Sequence, residues 1–361
     1  MTVHLRTGNI IEDDAEALVN TVNCVGFMGR GVALQFRKAF PANNRAYVRA
    51  CRMNELCPGS VFVFETGALT GPKYVINFPT KRHWREKSRV ADIDAGLVAL
   101  VGAIRERGIR SLAVPPLGCG LGGLEWKVIR PRIEQALAAL PDLDVRLYEP
   151  SGSPAPDTMP IGTARPTMTM SRALMISLMH EYSRWSYRLT LLEVQKLAYF
   201  LQESGEPLRL RYEAGLYGPY AHNLNMLLEV MEGYFTSGYG DSQRPDVEIH
   251  VLPGAVEEAR NYYSGTRDHE KRVQRVANLI EGFQTPHGME LLASVHWVAT
   301  HYAPAATSIR ETIVAVRGWN ERKRQMFPEE HLRVAWNRLI EDQWIVAAAS
   351  AHNSTTECNA Q

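Results

Sequence analysis

Two glycine-rich loops, each lying between a short apolar run and a helical pattern, constrain the fold of this 361-residue chain more than any other feature. The first loop, NTVNCVGFMGRG, follows the apolar run 17–19 and precedes a helix predicted to begin near Gly31. The second loop, PPLGCGLGGLEW, follows the apolar run 112–115. Each pattern predicts a buried strand, a turn and the start of a helix, which is the local signature of an α/β sheet.

The glycines of these loops favour a site for a phosphate-bearing ligand. A glycine ahead of a helix lets backbone N–H groups approach a ligand, and the helix N-terminus attracts an anion. Neither loop contains the Gly-Lys-Ser/Thr of a P-loop or the spacing of a dinucleotide-binding fingerprint. A purely structural turn is the alternative for either loop alone, whereas two loops at the carboxyl ends of strands can converge on one crevice.

Residues 1–150 alternate predicted strands with predicted helices. One helix begins near Asp92 and ends at Gly108, and another follows Pro131, with the proline in its first turn. This alternation predicts an α/β fold whose mostly parallel sheet is covered by helices on both faces. The predicted strands are 4–6, 17–21, 61–65, 74–78, 111–115 and 145–148.

The second half of the chain has a different pattern. Residues 151–170 contain four prolines and no periodicity, which predicts an interdomain linker. Residues 171–361 carry apolar stripes at helical spacing, and a capping box, Thr190-Leu-Leu-Glu193, precedes one of them. Two further helices are predicted over 289–301 and 329–344. We therefore predict a first domain over 1–150 and a mainly helical second domain over 171–361.

Charge and cysteine content narrow the class of protein. Residues 1–150 hold 20 Lys+Arg and 15 Asp+Glu (20 − 15 = +5), whereas residues 171–361 hold 19 and 23 (19 − 23 = −4). A basic first half favours an anionic ligand. The five cysteines are odd in number and lack C-x-x-C spacing, which predicts reduced thiols in the cytoplasm and no zinc site. No apolar run approaches membrane-spanning length.

Three separated motifs in residues 1–150 together resemble a macrodomain. They are TGNII…ALVNTVNCVGFMGRGVALQF, FPTKRHW and VPPLGCGLGGLEWKVIRPRIEQAL, in the order that macrodomains use. More narrowly, they resemble the DarG branch, the antitoxins of the DarT/DarG pair, which is related to the terminal ADP-ribose glycohydrolases. The resemblance implies a three-layer α/β/α fold that binds ADP-ribose and needs no cofactor or metal.

The resemblance also implies a site. Asn9 and Ile10 would lie at the adenine end, although the family often has aspartate in place of Asn9. Thr21, Val22 and Asn23 would approach the distal ribose, beside Thr80. The two loops would wrap the diphosphate and distal ribose, through Gly29, Arg30, Gly31, Val32 and Ala33 on one side and Leu117, Gly118, Cys119, Gly120, Leu121 and Gly122 on the other.

Lys81 follows the predicted strand 74–78 and has three interpretations. It is a solvated surface cation, a phosphate contact, or a catalytic amine at the ribose C1. The resemblance favours the third, because DarG-type and terminal ADP-ribose glycohydrolases use a lysine here. Gly122 stands where the terminal ADP-ribose glycohydrolases carry an acid, so Lys81 would act by a Schiff base or by positioning water or the leaving base, with Asn23 holding ribose hydroxyls or water.

The stretch 77–89, NFPTKRHWREKSR, contains five basic residues against one glutamate. Cations interleaved with an aromatic ring suit a single strand of nucleic acid, and a solvated loop is the alternative. Arg82, Trp84 and Arg85 are the candidate nucleic-acid contacts. Since DarT-type toxins modify thymine in single-stranded DNA, the resemblance predicts ADP-ribosylated single-stranded DNA as substrate and ADP-ribose as product.

Residues 189–224 resemble a Panacea-type antitoxin domain, through QKLAYF on a helix and Tyr217-Gly218-Pro219 in a turn. This resemblance implies that the second domain binds and neutralises a DarT-type toxin, and its net charge of −4 suggests mimicry of DNA. His296 and His301 are predicted to be core or surface residues, not metal ligands. Two rival functions are a macrodomain that binds ADP-ribose without cleaving it and a glycohydrolase acting on ADP-ribosylated proteins.

Overall fold

The computed structural model describes residues 1–68, 70–150, 160–184, 187–240, 245–265, 267–302 and 308–345. It divides into two compact units. The first comprises Met1–Thr167 with Leu228–Ala255, and the second comprises Met168–Leu227 with Val256–Gln361. Nine of the twenty residues of the predicted linker, 151–159, and Cys358 lie outside the described residues.

A six-stranded sheet forms the centre of the first unit, in the order β1-β6-β5-β2-β4-β3. Only the β3–β4 pair is antiparallel, which confirms the mixed, mostly parallel sheet. Each of the six predicted strands is present. Their bounds are β1 (Thr2–Arg6), β2 (Ala17–Asn23), β3 (Phe62–Glu65), β4 (Tyr74–Lys81), β5 (Ser111–Val114) and β6 (Asp144–Tyr148).

Helices cover both faces of this sheet because its strands alternate buried side chains. Ala17 and Val19 of β2 pack with Ile93 of one helix, whereas Leu18 packs with Phe36 of another. Alternate residues of a strand point to opposite faces, so the two clusters lie on opposite sides of the sheet. The helices are α1 (Gly31–Ala39), α2 (Pro41–Arg52), α3 (Val90–Arg107) and α4 (Trp126–Leu137), with a 3₁₀ turn over Ile10–Glu12.

Two predicted helix ends have different outcomes. Gly108 caps α3 in the left-handed conformation with φ 63°, as predicted. The prediction that Pro131 lies in the first turn of the next helix is wrong, since α4 begins at Trp126 and Pro131 is its sixth residue. The extended backbone of Glu125 ends the preceding loop earlier than the proline suggests.

The remaining elements lie in residues 168–345. Thr190 and Glu193 form the predicted capping box, and the predominance of helices is confirmed. The elements are α5 (Met170–Ser183), α6 (Leu191–Glu203), β7 (Tyr212–Gly215), β8 (Gly218–Ala221), α7 (Leu224–Met231), β9 (Thr236–Ser237), β10 (His250–Val251), α8 (Ala255–Tyr263), α9 (Arg267–Ile280), α10 (Pro286–His301), α11 (Ile309–Trp319), α12 (Glu321–Met326) and α13 (Glu329–Glu341).

Residues 228–255 correct the predicted division of the chain. The sequence pattern predicts that they belong to the second domain, whereas the structure groups them with the first unit. Phe235 and Tyr239 are almost fully buried, and Glu229 pairs with Arg37 of α1 at 3.1 Å. Arg37 and Glu229 are 192 residues apart in sequence. A contact over that distance leaves no periodic pattern from which it could be predicted.

The QKLAYF motif of the second unit holds the turn that follows it in sequence. Gln195 on α6 bonds both the N–H and the carbonyl of Ala221, at 3.1 and 3.2 Å. The Nζ of Lys196 donates to the carbonyl of Pro219 at 2.7 Å, and burial lowers the pKa of Lys196 to about 7. Two adjacent side chains of one helix thus fix β8 through its backbone.

His296 belongs to the core of the second unit. It is 2% exposed, and its Nδ1 bonds the hydroxyl of Tyr199 at 2.7 Å. Burial lowers its pKa to about 3, so the ring is neutral. His301 stacks on Trp297 with ring centroids 3.6 Å apart. Across the described ranges, no group of three or more His, Cys, Asp or Glu side chains is placed to hold a metal ion.

Candidate active site

The predicted site residues follow the carboxyl ends of parallel strands. Thr21, Val22 and Asn23 end β2, Thr80 and Lys81 end β4, and the loops after β2 and β5 carry the glycines. Because parallel strands end at the same edge of a sheet, these segments share one rim. Asn9 and Ile10 follow β1, which runs parallel to β6 and therefore ends at the same rim.

The register of β2 and β4 brings Asn23 and Lys81 together. The pairing is regular from Ala17 with Tyr74 to Val22 with Pro79, and a register shift then places Asn23 opposite Lys81. Irregular pairing at a strand end redirects a side chain and is frequent next to active sites. The two residues for which the resemblance implies a catalytic role are therefore neighbours on adjacent strands.

Lys81 also touches the second glycine loop. Its Nζ donates to the carbonyl of Leu121 at 2.6 Å. Burial of the amine, and then the positive charge of Lys87, lower the pKa of Lys81 below its usual value of 10.5. The environment therefore increases the fraction of neutral amine, which is the nucleophilic form. A fully solvated lysine, the first of the three interpretations, does not fit these contacts.

The two glycine loops approach each other at this rim. A Cβ built on Gly31 would lie 3.8 Å from Cδ1 of Leu121, which is ordinary van der Waals contact. Gly31 and Gly118 have φ of +61° and +71°, a backbone conformation that residues other than glycine rarely adopt. Glycine at these two positions therefore allows both turns and a close approach of backbone N–H groups.

Gly122 has no room for the acid of the terminal ADP-ribose glycohydrolases. A Cβ at this position would lie 2.2 Å from the carbonyl oxygen of Gly118 and 2.2 Å from Oγ of Ser88. The N–H of Ser88 also donates to the carbonyl of Gly122 at 3.0 Å, which fixes the turn. The conformation of this loop therefore requires glycine at position 122. A carboxylate side chain would fit there only if the backbone of the loop moved.

The amide of Asn23 is occupied by its own loop. Its Nδ2 donates to the carbonyl of Phe27 at 2.6 Å, and its Oδ1 accepts from the N–H of Val25 at 2.9 Å and from the hydroxyl of Tyr47 at 3.0 Å. These bonds fix the turn between β2 and α1. The geometry therefore favours a positioning role for Asn23 over direct contact with ribose or water.

Two of the other predicted ligand contacts also have structural bonds. The Oδ1 of Asn9 accepts from the N–H of Ile11 at 3.1 Å and caps the 3₁₀ turn, so this oxygen serves the fold. The Oγ1 of Thr80 donates to the carbonyl of Val22 at 3.5 Å. Ile10 is 4% exposed and forms part of the core on one side of the sheet.

An aromatic cluster joins the first glycine loop to the segment that follows Lys81 in sequence, and the sequence pattern indicated only part of it. Trp84 has its ring centroid 6.0 Å from that of Phe27 and 5.2 Å from that of His83, while the guanidinium carbon of Arg85 lies 4.5 Å from the Trp84 ring. Phe27 is 42% exposed. The signal for Phe27 in the sequence was an aromatic residue between the glycines of the first loop.

Arg82 differs from Arg85 in its partners. Its guanidinium donates to both carboxylate oxygens of Asp92, at 2.9 and 3.3 Å, in the first turn of α3. This ion pair neutralises much of the positive charge of Arg82, which the sequence pattern predicts as a DNA contact. Arg85 lies on the aromatic cluster and is exposed, so it is the better placed of the two.

Comparison with known proteins agrees with this fold. The Macro domain family model matches residues 19–132. The chain is 44% identical to the DNA ADP-ribosyl glycohydrolase of Thermus aquaticus over 335 residues, covering 92% of this chain and 91% of that protein. It is 33% identical to a DNA ADP-ribosyl transferase-DNA ADP-ribosyl glycohydrolase fusion protein of Thermosipho africanus, covering 42% of each.

Among solved structures, the macrodomain of Mycobacterium tuberculosis DarG is 51% identical and covers 42% of this chain and 99% of that chain, with a TM-score of 0.41. The mostly parallel sheet, the two glycine loops at its rim and the family match define the first unit as a macrodomain. The chain as a whole belongs to the DNA ADP-ribosyl glycohydrolase family, the DarG antitoxins. The described residues include no helix long and apolar enough to cross a membrane.

Proposed function

We propose that this protein removes ADP-ribose from thymine of ADP-ribosylated single-stranded DNA, with Lys81 as the catalytic amine. The observation that carries this proposal is the half-buried Nζ of Lys81, held 2.6 Å from the carbonyl of Leu121 where β2, β4 and the second glycine loop meet. The coverage of the Thermus aquaticus relative, 91% of its length, supports the same activity.

The chemistry follows from the groups at the rim. The neutral amine of Lys81 adds to C1 of the ribose, the bond between C1 and the base breaks, and the base leaves with a proton. The bond between C1 and the ring oxygen then breaks, with the proton on the lysine nitrogen passing to that oxygen, which gives a Schiff base. Water adds to C1 and the bond between C1 and the lysine nitrogen breaks, which releases ADP-ribose and restores the amine. This route needs no acid at Gly122, which agrees with the lack of space for a carboxylate at that position of the glycine loop.

The test of this function is release of ADP-ribose from a modified oligonucleotide. Full-length protein is mixed with ADP-ribosylated single-stranded DNA, and free ADP-ribose is measured by chromatography. Turnover supports the proposal, whereas tight binding without release supports the binding module. Release from modified carboxylate side chains of proteins, but not from thymine, would support the rival protein substrate.

We expect replacement of Trp84 by alanine to weaken DNA binding without slowing the chemical step. Stacking of a base on an aromatic ring contributes about 1–3 kcal/mol, so KM for the modified oligonucleotide should rise about five- to 150-fold. The single-turnover rate at saturating DNA should stay at the wild-type value. Tyr262→Ala, which also removes an exposed aromatic ring but on α8, is the matched control and should keep the wild-type KM. An unchanged KM for Trp84→Ala would remove the cluster from the DNA site.

We also propose that the second unit neutralises a DarT-type transferase. The fusion of transferase and glycohydrolase in the Thermosipho africanus relative supports a functional pairing of the two. The net charge of −4 that suggested mimicry of DNA comes from residues 228–255 (1 − 5 = −4), which the structure groups with the first unit. The second unit has equal numbers of basic and acidic residues (18 − 18 = 0), so its charge does not support mimicry. A native gel shift of the full-length protein with purified transferase should show a complex, and absence of a complex would contradict neutralisation by binding.

A further inference from the structure

A segment of the second half of the chain lies against the first glycine loop. We call residues 228–240 the strap. It belongs to the same compact unit as the sheet, and its members Leu228, Phe235 and Tyr239 are at most 1% exposed. The strap is therefore packed as an integral part of the macrodomain, although about 190 residues separate it from α1 in sequence.

Glu232 fixes the shape of the strap. Its side chain is nearly fully buried, and its carboxylate accepts from the N–H groups of Gly238, Tyr239 and Gly240 at 3.0, 3.3 and 3.2 Å. A carboxylate that gathers three successive N–H groups holds a tight turn, and such charge-assisted bonds are strong. A Cβ on Gly238 would lie 2.1 Å from the carbonyl of Glu248, so this turn requires glycine.

The strap binds α1 along its length through charged groups. Arg37 pairs with Glu229 at 3.1 Å, and the buried amine of Lys38 donates to the carbonyl of Glu232. The same amine lies 4.7 Å from the ring centroid of Tyr234. Three basic residues of the first glycine loop and its helix, the third being Arg30, therefore have partners in the strap.

The contacts at the start of α1 involve the groups that would receive a diphosphate. The N–H of Gly31, the first residue of the helix, donates to the carbonyl of Gly240. The guanidinium of Arg30 donates to the hydroxyl of Tyr239 at 3.0 Å and lies 4.2 Å from its ring centroid. One N–H cannot serve a carbonyl and a phosphate oxygen at full strength, because both are acceptors for the same proton.

We propose that the strap is an internal competitor of ADP-ribose, which binds fully only after the Gly240 carbonyl and the Tyr239 side chain leave Gly31 and Arg30. This inference rests on the proposed function, since it takes the first glycine loop as the diphosphate site. The apparent association constant for ADP-ribose then equals the intrinsic association constant multiplied by the fraction of molecules with an open strap.

The experiment compares ADP-ribose affinity of full-length variants by calorimetry. Glu232→Gln removes the charge that holds the turn, and Tyr239→Ala removes the partner of Arg30. Each should bind ADP-ribose about tenfold more tightly than wild type, because loss of one charge-assisted bond opens the strap by about that factor. Glu257→Gln, the same change at an exposed position of α8, should keep wild-type affinity.

Hydrogen exchange of the wild-type protein provides a second measurement that needs no variant. Addition of ADP-ribose should raise amide exchange at residues 238–240 and lower it at residues 31–34. Slower exchange in both segments would overturn the competition, because the strap would then close over the ligand. Equal affinity of folded Glu232→Gln and wild type would also overturn it, whereas absence of any ADP-ribose binding by either would overturn the proposed function together with this inference.

Discussion

Replacement of Lys81 by alanine is expected to slow release of ADP-ribose from modified DNA about 10²- to 10⁴-fold, the range for a group that acts in the transition state. The affinity for free ADP-ribose should stay near the wild-type value, because the glycine loops and their backbone N–H groups are retained. Single-turnover measurement of the oligonucleotide reaction, with calorimetry for ADP-ribose, checks both expectations.

The position of the Lys81 amine also predicts a pH dependence. Burial and Lys87 lower the pKa of Lys81, and a lysine is neutral above its pKa. The rate of a reaction that needs the neutral amine should therefore rise with pH and level off below the usual lysine pKa of 10.5. A rate that falls over the same range would contradict nucleophilic catalysis.

Two further variants separate nucleophilic from electrostatic catalysis. Lys81→Arg keeps a positive charge but has no neutral form near pH 7, so it should be as inactive as Lys81→Ala. Borohydride added during turnover should attach ADP-ribose covalently to Lys81 of the wild-type protein. Lys127→Ala, at an exposed position of α4, is the control and should cleave at the wild-type rate. Full activity of Lys81→Ala would end the catalytic assignment.

The convergence of the site was predictable because it follows from local rules. Runs of apolar residues located β2, β4 and β5, and parallel strands end at one rim, so the loop after β5 and Lys81 were expected at the same edge of the sheet. The sequence did not reveal that a register shift places Asn23 opposite Lys81, or that its amide binds its own loop. Those features depend on single backbone positions that leave no periodic pattern.

The strap could not be predicted from sequence for a different reason. Glu232 lies just beyond α7 in a predominantly helical part of the chain, and its neighbours indicate only that it ends a helix. Its three N–H partners lie 6 to 8 residues away, whereas the Lys38 amine lies 194 residues away. Such pairings depend on tertiary packing, which periodicity and composition do not encode.

A second large effect is expected from Glu290, a buried carboxylate of α10 in the second unit. Its side chain is 1% exposed, and its Oε1 accepts from the Nζ of Lys323 at 2.7 Å and from Arg322. The side chain of Lys323 is fully buried, and its Nζ also donates to Ser294 at 2.9 Å. Removing one partner of such a pair leaves an uncompensated charge in a medium of low dielectric constant.

Glu290→Ala should therefore lower the free energy of unfolding by about 3–5 kcal/mol in urea denaturation. Glu329→Ala is the matched control in the same unit, since its side chain is 55% exposed and its bond to Arg317 should contribute less than about 1 kcal/mol. The double variant Glu290→Leu/Lys323→Met removes both charges and should recover most of the loss, because buried ion pairs replaced by apolar groups are often neutral in stability. A double variant as unstable as Glu290→Ala would show that packing around α10, and not the unpaired Lys323 charge, accounts for the loss.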